Sequence, residues 1–454
     1  MKSYYLPLKI IFLVSSICLG CKKEWLDKKP VSSMTVPATL DDYQALLDNP
    51  EIHQYPGLGE AGSDNYYVDE SLLQALGQYA LDFYLWAKDD WSTPALYEWE
   101  FPYRAIFTSN LITEGLPKIK KSNLNSNQWN ELFGSSLFYR AFAYYGLVEQ
   151  FANTYDKTSA SSDLGVPIRL SSNINEKANR SSILATYEQI INDLHNSKEN
   201  LPTTSRLKTR PTKAAAYGLL ARLYNNLEIY DSAYVYAQLA LSMHDTLLNY
   251  NLLNFGVDIS MPHYSDNPEI IFYTPMMTPI TLFQFCANVD SSLYGSYETN
   301  DLRKTHFFRD IGGRNVWAGN YSGNTSQLFG GIAASELYLI SAEVKARKGD
   351  FESAMDDLNK LLSNRYKSNQ FVPLSVANAE EALLLILNER RKETAFRGLR
   401  WSDLKRLNKY SSTAKSIVRK YNDQEFILTP QDNRYAWPIP PSEILYSNIP
   451  QNPR

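Results

Sequence analysis

Residues 216–241 read AYGLLARLYNNLEIYDSAYVYAQLAL, and two different apolar seams follow each other within them. The first seam has helical spacing and consists of Tyr217, Leu220, Ala221 and Tyr224. The second has small residues at i, i+4 and i+7, and it consists of Ala233, Ala237 and Ala240. Because small alanines allow helix axes to approach closely around bulky tyrosines, this stretch predicts two antiparallel helices packed as a hairpin.

The same offsets return in ELYLISAEVKARKGDFESAMDDLNKLL, residues 336–362. Tyr338 precedes Ala354 by the distance that separates Tyr217 from Ala233, and Gly349 stands at the turn. Two hairpins with matched spacing indicate helical pairs of tetratricopeptide type. Amphipathic hairpins that share this spacing by coincidence are the alternative.

Further helices are predicted on both sides of these hairpins. They are expected over residues 96–116, over 129–151, on a face through 187–194 that ends before Leu201, and from Asn378 to Phe396 with a stop at Gly398. Asn378 followed by Glu381 resembles a capping box. Strand signals are sparse, and residues 242–331, rich in Gly, Pro, Asn and aromatics, interrupt the repeats. We therefore expect an all-α scaffold with large loop insertions, where binding sites tend to lie.

The N-terminus is typical of an exported lipoprotein. Lys2 and Lys9 flank the start of an apolar run that ends at Gly20, which is too short for a bilayer-spanning helix and fits a signal peptide over residues 1–20. The L-G-C ending resembles a lipobox, which predicts lipidation of Cys21, followed by a leader over residues 21–40. Acyl chains would anchor the protein to a membrane that it does not span. An ordinary secreted protein with an incidental Cys21 is the alternative.

Cysteine count and charge exclude several classes of function. Without the signal peptide only Cys21 and Cys286 remain, so a lipidated Cys21 leaves no disulfide partner. The net charge of −4 comes without a basic stripe and argues against nucleic acid as a partner. The five histidines are scattered, and no metalloprotease, phosphate-loop or nucleophile-elbow motif occurs. We expect no cofactor, no metal and no catalysis.

Several segments, in order along nearly the whole chain, carry a resemblance to a known family. They are CKKEWLDKKP, LGVPIRL, YEQIINDLHNSKENLP, RPTKAAAYGLLARLY, ELYLISAEVKARKGD, NERRKETAFRGLRWSDLKRL and YAWPIPPSEILYSNIPQNP. Together they resemble the SusD/RagB-like proteins of Bacteroidetes. The ending departs from the family pattern, because Arg454 follows Pro453 where Gly-Tyr is usual.

This resemblance implies an all-α, SusD-like fold in which tetratricopeptide-like pairs support a loop-rich half. The SusD-like domain would cover residues 41–454, with an N-terminal region over 41–240, insertion loops over 242–331 and a C-terminal region over 332–454. It further implies a lipoprotein of the outer membrane that faces the cell surface. There it would cap a SusC-type, TonB-dependent β-barrel transporter and capture nutrient, most often a glycan and sometimes a peptide.

Capture of a sugar needs flat aromatic faces with polar side chains beside them. Loop-like stretches offer such combinations at Asp64, Asn65, Tyr66, Tyr67, Trp86, Trp91, Arg314, Asn315, Trp317, Asn320 and Tyr321. With 32 tyrosines and 8 tryptophans in the chain, most tyrosines at helical spacing must belong to the core, and a loop tryptophan more often packs its own loop down.

Two clusters of charge admit opposing interpretations. Arg391, Arg400 and Arg406 could bind an acidic glycan, but their apolar neighbours favour contacts to carboxylates of adjacent helices, with Glu393 and Arg397 spaced as an i, i+4 pair. The adjacent carboxylates 89–90 lie between two tryptophans, as an all-α glycosidase would require, but adjacent side chains point apart. The function classes left open are a nutrient-binding lid, a glycan-degrading enzyme and an envelope adaptor.

Overall fold

Helices dominate the part of the chain that the computed structural model describes, which is residues 37–87 and 96–454. Cys21, Trp91 and the 89–90 carboxylates lie outside these residues. In chain order the helices are α1 (Leu40–Leu47), α2 (Leu58–Gly62), α3 (Glu70–Leu76), α4 (Gln78–Tyr84), α5 (Tyr97–Gly115), α6 (Ser126–Phe151), α7 (Ile183–Asn200), α8 (Lys213–Asn226), α9 (Tyr230–Met243), α10 (Ser291–Gly295), α11 (Arg303–His306), α12 (Ala334–Arg347), α13 (Phe351–Leu362), α14 (Ala379–Glu393), α15 (Arg400–Leu407) and α16 (Pro441–Ser447).

The strands of the described residues are short and pair only two at a time, always antiparallel. In chain order they are β1 (Tyr66–Val68), β2 (Leu164–Pro167), β3 (Arg180–Ser182), β4 (Ile270–Phe272), β5 (Pro275–Met276), β6 (Ala287–Val289), β7 (Phe308–Ile311), β8 (Arg314–Trp317), β9 (Leu328–Phe329), β10 (Ile332–Ala333), β11 (Ile417–Tyr421) and β12 (Gln424–Leu428). The predicted all-α class is confirmed, because the strands are short and form only isolated pairs, whereas the scaffold consists of helices.

The scaffold is a row of helices that pack on their neighbours in sequence. Helix α5 packs on α6, α6 on α7, and α8 on α9, while α12 contacts α9, α13 and α14. Both predicted hairpins are therefore present, and they join side by side through α9 and α12. Leu40–Arg454 forms one compact unit. The proposed internal boundaries of the SusD-like domain stay a prediction.

Small residues make the first hairpin possible, as the spacing predicts. Ala233, Ala237 and Ala240 are fully buried, so the backbones of α8 and α9 approach closely. The two tyrosines of the first seam, Tyr217 and Tyr224, are only partly buried and pack against the core from outside. Tyr224 is half-buried and stacks on Tyr236 of α9, with ring centroids 5.5 Å apart and planes 8° apart. The first seam thus places its small and aliphatic members inside and its rings along the groove between the helices.

The start of α14 also follows the prediction, but its end does not. Asn378 Oδ1 accepts the Glu381 N–H at 2.9 Å, which caps the helix, and Glu381 Oε2 accepts the Ala377 N–H at 3.0 Å, one residue before the position that a capping box uses. The helix ends at Glu393 and not at Phe396. Phe396 has a φ of +56° and is buried, because the chain turns there to carry this ring into the core.

Two further expectations need correction. The series Pro438, Pro440 and Pro441 predicts an extended, polyproline-like path that cannot join a helix, but Pro441 is the first residue of α16. Proline suits that position because the first helical N–H has no intrahelical acceptor. Residues 242–331 are also more ordered than loops, since they contribute β4 to β9. Two of these strands pair outside the segment, β4 with β10 and β6 with β1, and such distant pairing leaves no local signal.

A buried network of charges joins the end of α14 to distant loops. Arg365 Nη2 lies 2.8 Å from a carboxylate oxygen of Glu269 and 2.8 Å from one of Glu393, and all three side chains are fully buried. Arg303 Nη1 contacts Glu393 at 3.2 Å, and its Nη2 contacts Glu389 at 2.6 Å. Burial alone would raise the pKa of Glu393, but Arg365 and Arg303 hold that pKa below its ordinary value.

Removal of Arg365 tests this network. We expect Arg365→Met to lower the free energy of unfolding by about 3–5 kcal/mol, because Glu269 and Glu393 would stay buried without their main counter-charge. Lys348→Met is the matched control, since its ion pair with Asp231 is exposed and contributes about 1 kcal/mol or less. Urea denaturation measures both variants, and equal losses would contradict the role given to Arg365.

Candidate functional site

Asp64 is a structural ion-pair residue, although it was predicted to bind ligand. Arg400 donates to its two carboxylate oxygens at 2.7 and 3.0 Å, and Lys415 Nζ lies 2.6 Å away, with Arg391 at 3.3 Å. Burial would raise the pKa of Asp64, but these three cations outweigh it and hold the pKa well below its usual value. The carboxylate is thus occupied in tying the segment before β1 to α14 and α15.

Tyr66 and Trp86 are core residues and not surface platforms. The Tyr66 hydroxyl donates to Ala61 O at 2.8 Å, and the Trp86 indole donates to Gly62 O at 3.1 Å. The Arg419 guanidinium lies over both rings, at 5.2 Å from the centroid of Tyr66 and 4.5 Å from that of Trp86. Asn65, beside them, is also buried. These side chains are buried in the described conformation, and their contact with a ligand stays a prediction.

The loop 317–321 is likewise folded inward. Trp317 stacks on Phe396 with centroids 4.7 Å apart, and its indole donates to Asn320 Oδ1 at 2.7 Å. The Tyr321 hydroxyl donates to Glu269 Oε1 at 2.9 Å and so belongs to the buried charge network. Trp317, Asn320 and Tyr321 pack their own loop down, which was the alternative stated for them.

Tyr67 and Arg314 both lie next to Asn288 and are both accessible at the surface. Strand β1 pairs with β6, which places Tyr67 opposite Asn288, and strand β8 packs beside β6. Arg314 Nη1 donates to Asn288 Oδ1 at 3.4 Å and to Phe285 O at 3.5 Å. Tyr67 is 45% exposed and Arg314 is half-buried. Asn315 follows Arg314 in the strand and points to the opposite face, so it is not part of this surface.

The hairpin turn explains how β8 presents Arg314. Gly312 and Gly313 form the two-residue turn between β7 and β8, with φ values of +62° and +83°. Glycine adopts two such values at the lowest cost, and this turn matches the twist of the strands that it joins. Asp310 Oδ1 accepts the Gly313 N–H at 2.8 Å and locks the turn. Arg314 is therefore fixed at the first position of β8.

Sequence reasoning missed three members of this surface, which are Phe283, Phe285 and Asn288. Phe285 is 58% exposed, and its ring stacks with that of Phe283 at a centroid distance of 5.7 Å. Asn288 is buried, and its Nδ2 has no hydrogen-bond partner among the described residues. Phe283 and Phe285 lie in a turn, in which Phe283 O accepts the Cys286 N–H at 2.8 Å and the Ala287 N–H at 2.9 Å, so no strand or helix periodicity signals their exposure.

We call Tyr67, Phe283, Phe285, Asn288 and Arg314 the aromatic patch. Beside it lies an open pocket of about 360 Å³, which Phe283 shares with the polar side chains of Gln54, Thr278, Asn324, Ser326 and Gln327. Exposed rings, a guanidinium that donates to Asn288 Oδ1 and Phe285 O, and amide and hydroxyl groups therefore adjoin one another. This combination can bind the C–H face of a sugar ring and its hydroxyl groups.

The arginines of the NERRKETAFRGLRWSDLKRL run bind carboxylates inside the protein, as favoured above. Arg400 pairs with Asp64, and Arg406 contacts Glu343 of α12 at 2.6 Å. The predicted Glu393–Arg397 side-chain pair does not form: Arg397 Nη1 donates to the backbone oxygen of Glu393 at 3.5 Å, because the Glu393 carboxylate already serves Arg365. Within residues 37–87 and 96–454, no group of three or more His, Cys, Asp or Glu side chains is placed to hold a metal ion.

Asp64→Asn tests the structural role of this carboxylate through pH. The folded pKa of Asp64 is lowered, so its stabilisation is present above the unfolded pKa of about 3.9 and is lost as pH falls below that value. We expect the variant to lose about 3–5 kcal/mol of unfolding free energy at pH 7, with a smaller loss below pH ~4.

Asp258→Asn is the control, because the Asp258 side chain is 93% exposed and its pair with Arg309 contributes about 1 kcal/mol or less. Urea denaturation at several pH values measures both variants. A loss for Asp64→Asn that does not change with pH would contradict the ion-pair role.

Two family models match the chain on either side of its central segment. Residues 24–225 match a SusD-like model described as "Starch-binding associating with outer membrane", and residues 306–454 match a model described as "SusD family". With the helical hairpins and the C-terminal arginine run in place, these matches define the class of protein. The chain belongs to the SusD family. No curated protein matches it closely enough to be counted as a relative.

Solved structures share the fold over nearly its full length. A SusD superfamily protein from Bacteroides thetaiotaomicron is 23% identical, with 92% of this chain and 100% of that chain covered and a TM-score of 0.72. A SusD-like carbohydrate-binding protein from Bacteroides vulgatus is 18% identical, with coverages of 91% and 97% and a TM-score of 0.68. A laminarin-binding SusD-like protein is 19% identical, with coverages of 90% and 97% and a TM-score of 0.62.

Proposed function

We propose that this protein is a lipid-anchored binding protein of the outer membrane that captures a glycan and delivers it to a SusC-type, TonB-dependent transporter. The aromatic patch is the observation that carries the binding half of this proposal. Membership in a family described as starch-binding and associated with the outer membrane supports both the ligand class and the location.

The chemistry of the patch favours a saccharide. Phe285 and Tyr67 offer exposed rings, and Arg314 and Asn288 offer donors beside them. A sugar ring has an apolar C–H face and hydroxyl groups at its edge, so rings and donors are needed side by side. A peptide is the second ligand class, because a guanidinium and amides also bind peptide groups.

Binding without chemistry fits the patch better than glycosidase activity. A glycosidase needs two carboxyl groups across the scissile bond, about 5–10 Å apart. The five residues of the patch include no carboxylate, and Asp64, whose segment leads into β1, is neutralised by three cations.

The anchor and the transporter rest on the sequence and the family. None of the helices within residues 37–87 and 96–454 is long and apolar enough to cross a membrane. The lipobox-like ending at Cys21 offers acyl chains as the attachment, and the transporter role is the family expectation for a lid on a barrel. An adaptor that holds other envelope proteins would use the same anchor without needing the patch.

Calorimetry with malto- and laminari-oligosaccharides tests the binding site. We expect Tyr67→Ala and Phe285→Ala each to weaken binding about tenfold, or ~1.4 kcal/mol, because each removes a stacking face. Tyr410→Ala is the control, as Tyr410 is similarly exposed at 42% but lies outside the patch. Binding that both patch variants retain in full would overturn the site, and shortened oligosaccharides after incubation would favour an enzyme.

Detergent extraction of the native protein tests the anchor and the partner together. Mass spectrometry of the mature N-terminus is expected to find an acylated Cys21, and affinity purification is expected to recover a large β-barrel transporter. In the Cys21→Ala variant the protein would no longer sediment with the membrane fraction. An unmodified N-terminus and protein free in the medium would contradict the anchor, and a co-purified set without a transporter would favour the adaptor.

A further inference from the structure

A second concave surface lies between helix α5, the segment 167–178 after β2, and helix α16. It has a volume of about 750 Å³, within the range of ligand-binding clefts. The residues that line it include none of the aromatic patch and none of the predicted ligand residues. We call it the α5–α16 groove.

Hydrogen bonds hold segment 167–178, the middle wall of the groove, in place. The Asn110 amide donates to Arg169 O and to Ser171 O, both at 3.1 Å, and Arg140 fixes the other side of this amide at 2.8 Å. The Tyr144 hydroxyl donates to Arg169 O and accepts the Arg169 N–H, both at 2.7 Å. A segment fixed on this many polar contacts is preformed for binding, which reduces the ordering cost for a ligand.

The wall that α16 forms is fixed by residues that precede and follow this helix. Asn452 donates to Phe151 O at 2.8 Å and to Trp437 O at 2.7 Å, and it accepts from Arg180 at 2.7 Å. Gln451 exchanges two hydrogen bonds of 2.8 Å with the backbone of Ile439. The ends that flank α16 are thereby attached to the helical scaffold.

Aromatic rings project from opposite walls of this groove. Phe107 of α5 is 41% exposed, and Tyr446 of α16 is 83% exposed, although both line the groove. Tyr103 and Trp99 lie deeper, and Ile174 adds apolar surface from the middle wall. Exposed rings on two walls of one groove offer stacking faces for the flat apolar side of a pyranose.

The charges of the groove favour a neutral ligand. Three acidic and three basic side chains line it, and they are Glu100, Glu176, Glu443, Arg104, Arg169 and Lys177. Arg104 is already paired with Glu100 and with Glu51. The balance of signs gives no attraction for a polyanion or a polycation, while carboxylates, amides and hydroxyls offer both donors and acceptors for sugar hydroxyl groups.

We propose that the α5–α16 groove is a second carbohydrate site, which binds a neutral oligosaccharide between Phe107 and Tyr446. It is separate from the site under the proposed function, so either site can fail without the other. A protein of this class with two sites would hold one polysaccharide chain at two points. Once one site is occupied, the tethered chain has a high effective concentration at the other site, which raises the overall affinity for the polysaccharide.

Calorimetry of the full mature chain with neutral malto-, laminari- and xylo-oligosaccharides tests this site, with oligogalacturonate as the charged probe. We expect Tyr446→Ala and Phe107→Ala to weaken one class of sites about tenfold or more and to leave binding at the patch unchanged. Leu445→Ala is the matched control, because Leu445 is 87% exposed on the same helix but does not line the groove. Since Tyr446 and Leu445 are both exposed, neither change is expected to alter the melting temperature.

Hydrogen exchange supplies a second readout, which reports where on the chain the sugar binds. A neutral oligosaccharide is expected to protect residues 167–178 and 441–447 in the wild type and not in Tyr446→Ala. The proposal is overturned if both groove variants bind like Leu445→Ala, or if oligogalacturonate is preferred there. It is equally overturned if Tyr446→Ala abolishes recovery of the transporter while sugar binding is unchanged, since the groove would then hold a protein partner.

Discussion

The placement of Arg365 between Glu269 and Glu393 is the constraint on which the loop-rich half of this protein depends. These three residues come from separate parts of the chain, and each would be costly to bury alone. They become compatible with the interior only when all are assembled, which requires that the segment before β4, the loop after α13 and the end of α14 meet at one point. Arg303 joins the same group through Glu393 and draws α11 to it.

The network also determines which aromatic residues can reach a ligand. Tyr321 donates to Glu269 within the network. Trp317, in the same loop, is also buried and stacks on Phe396 at the turn after α14. With this loop drawn inside, β8 lies against β6 and leaves Arg314 at the surface. The aromatic patch thus lies on the solvent-accessible side of the loop-rich half, and the buried ion-pair network holds the interior of that half together. The desolvation cost of a buried ion pair offsets most of its attraction, but removal of one partner leaves an uncompensated buried charge and is strongly destabilising.

The two candidate surfaces depend on different structural elements. The aromatic patch rests on short strands whose positions depend on pairing between β1 and β6, more than two hundred residues apart in sequence. The α5–α16 groove rests on long helices and on hydrogen bonds from Asn110, Tyr144 and Asn452. Both combine exposed rings with polar side chains, but the groove is enclosed on three sides and balanced in charge. A helical scaffold can support both because its hairpins leave the connecting segments free to vary.

Local periodicity determined the helical part of this protein from sequence alone. The alanine seam of α9, the Asn378 N-cap of α14 and the paired hairpins all depend on residues within a few turns of one another, so their spacing is sufficient to predict them. The exposure of single side chains is different, because it depends on partners far away in sequence. Trp317 and Tyr321 stand in a glycine-rich stretch typical of a surface loop and yet lie in the core, while Phe285 lies outside. Only tertiary packing decided between them, because burial depends on which distant groups meet a side chain and not on its neighbours along the chain.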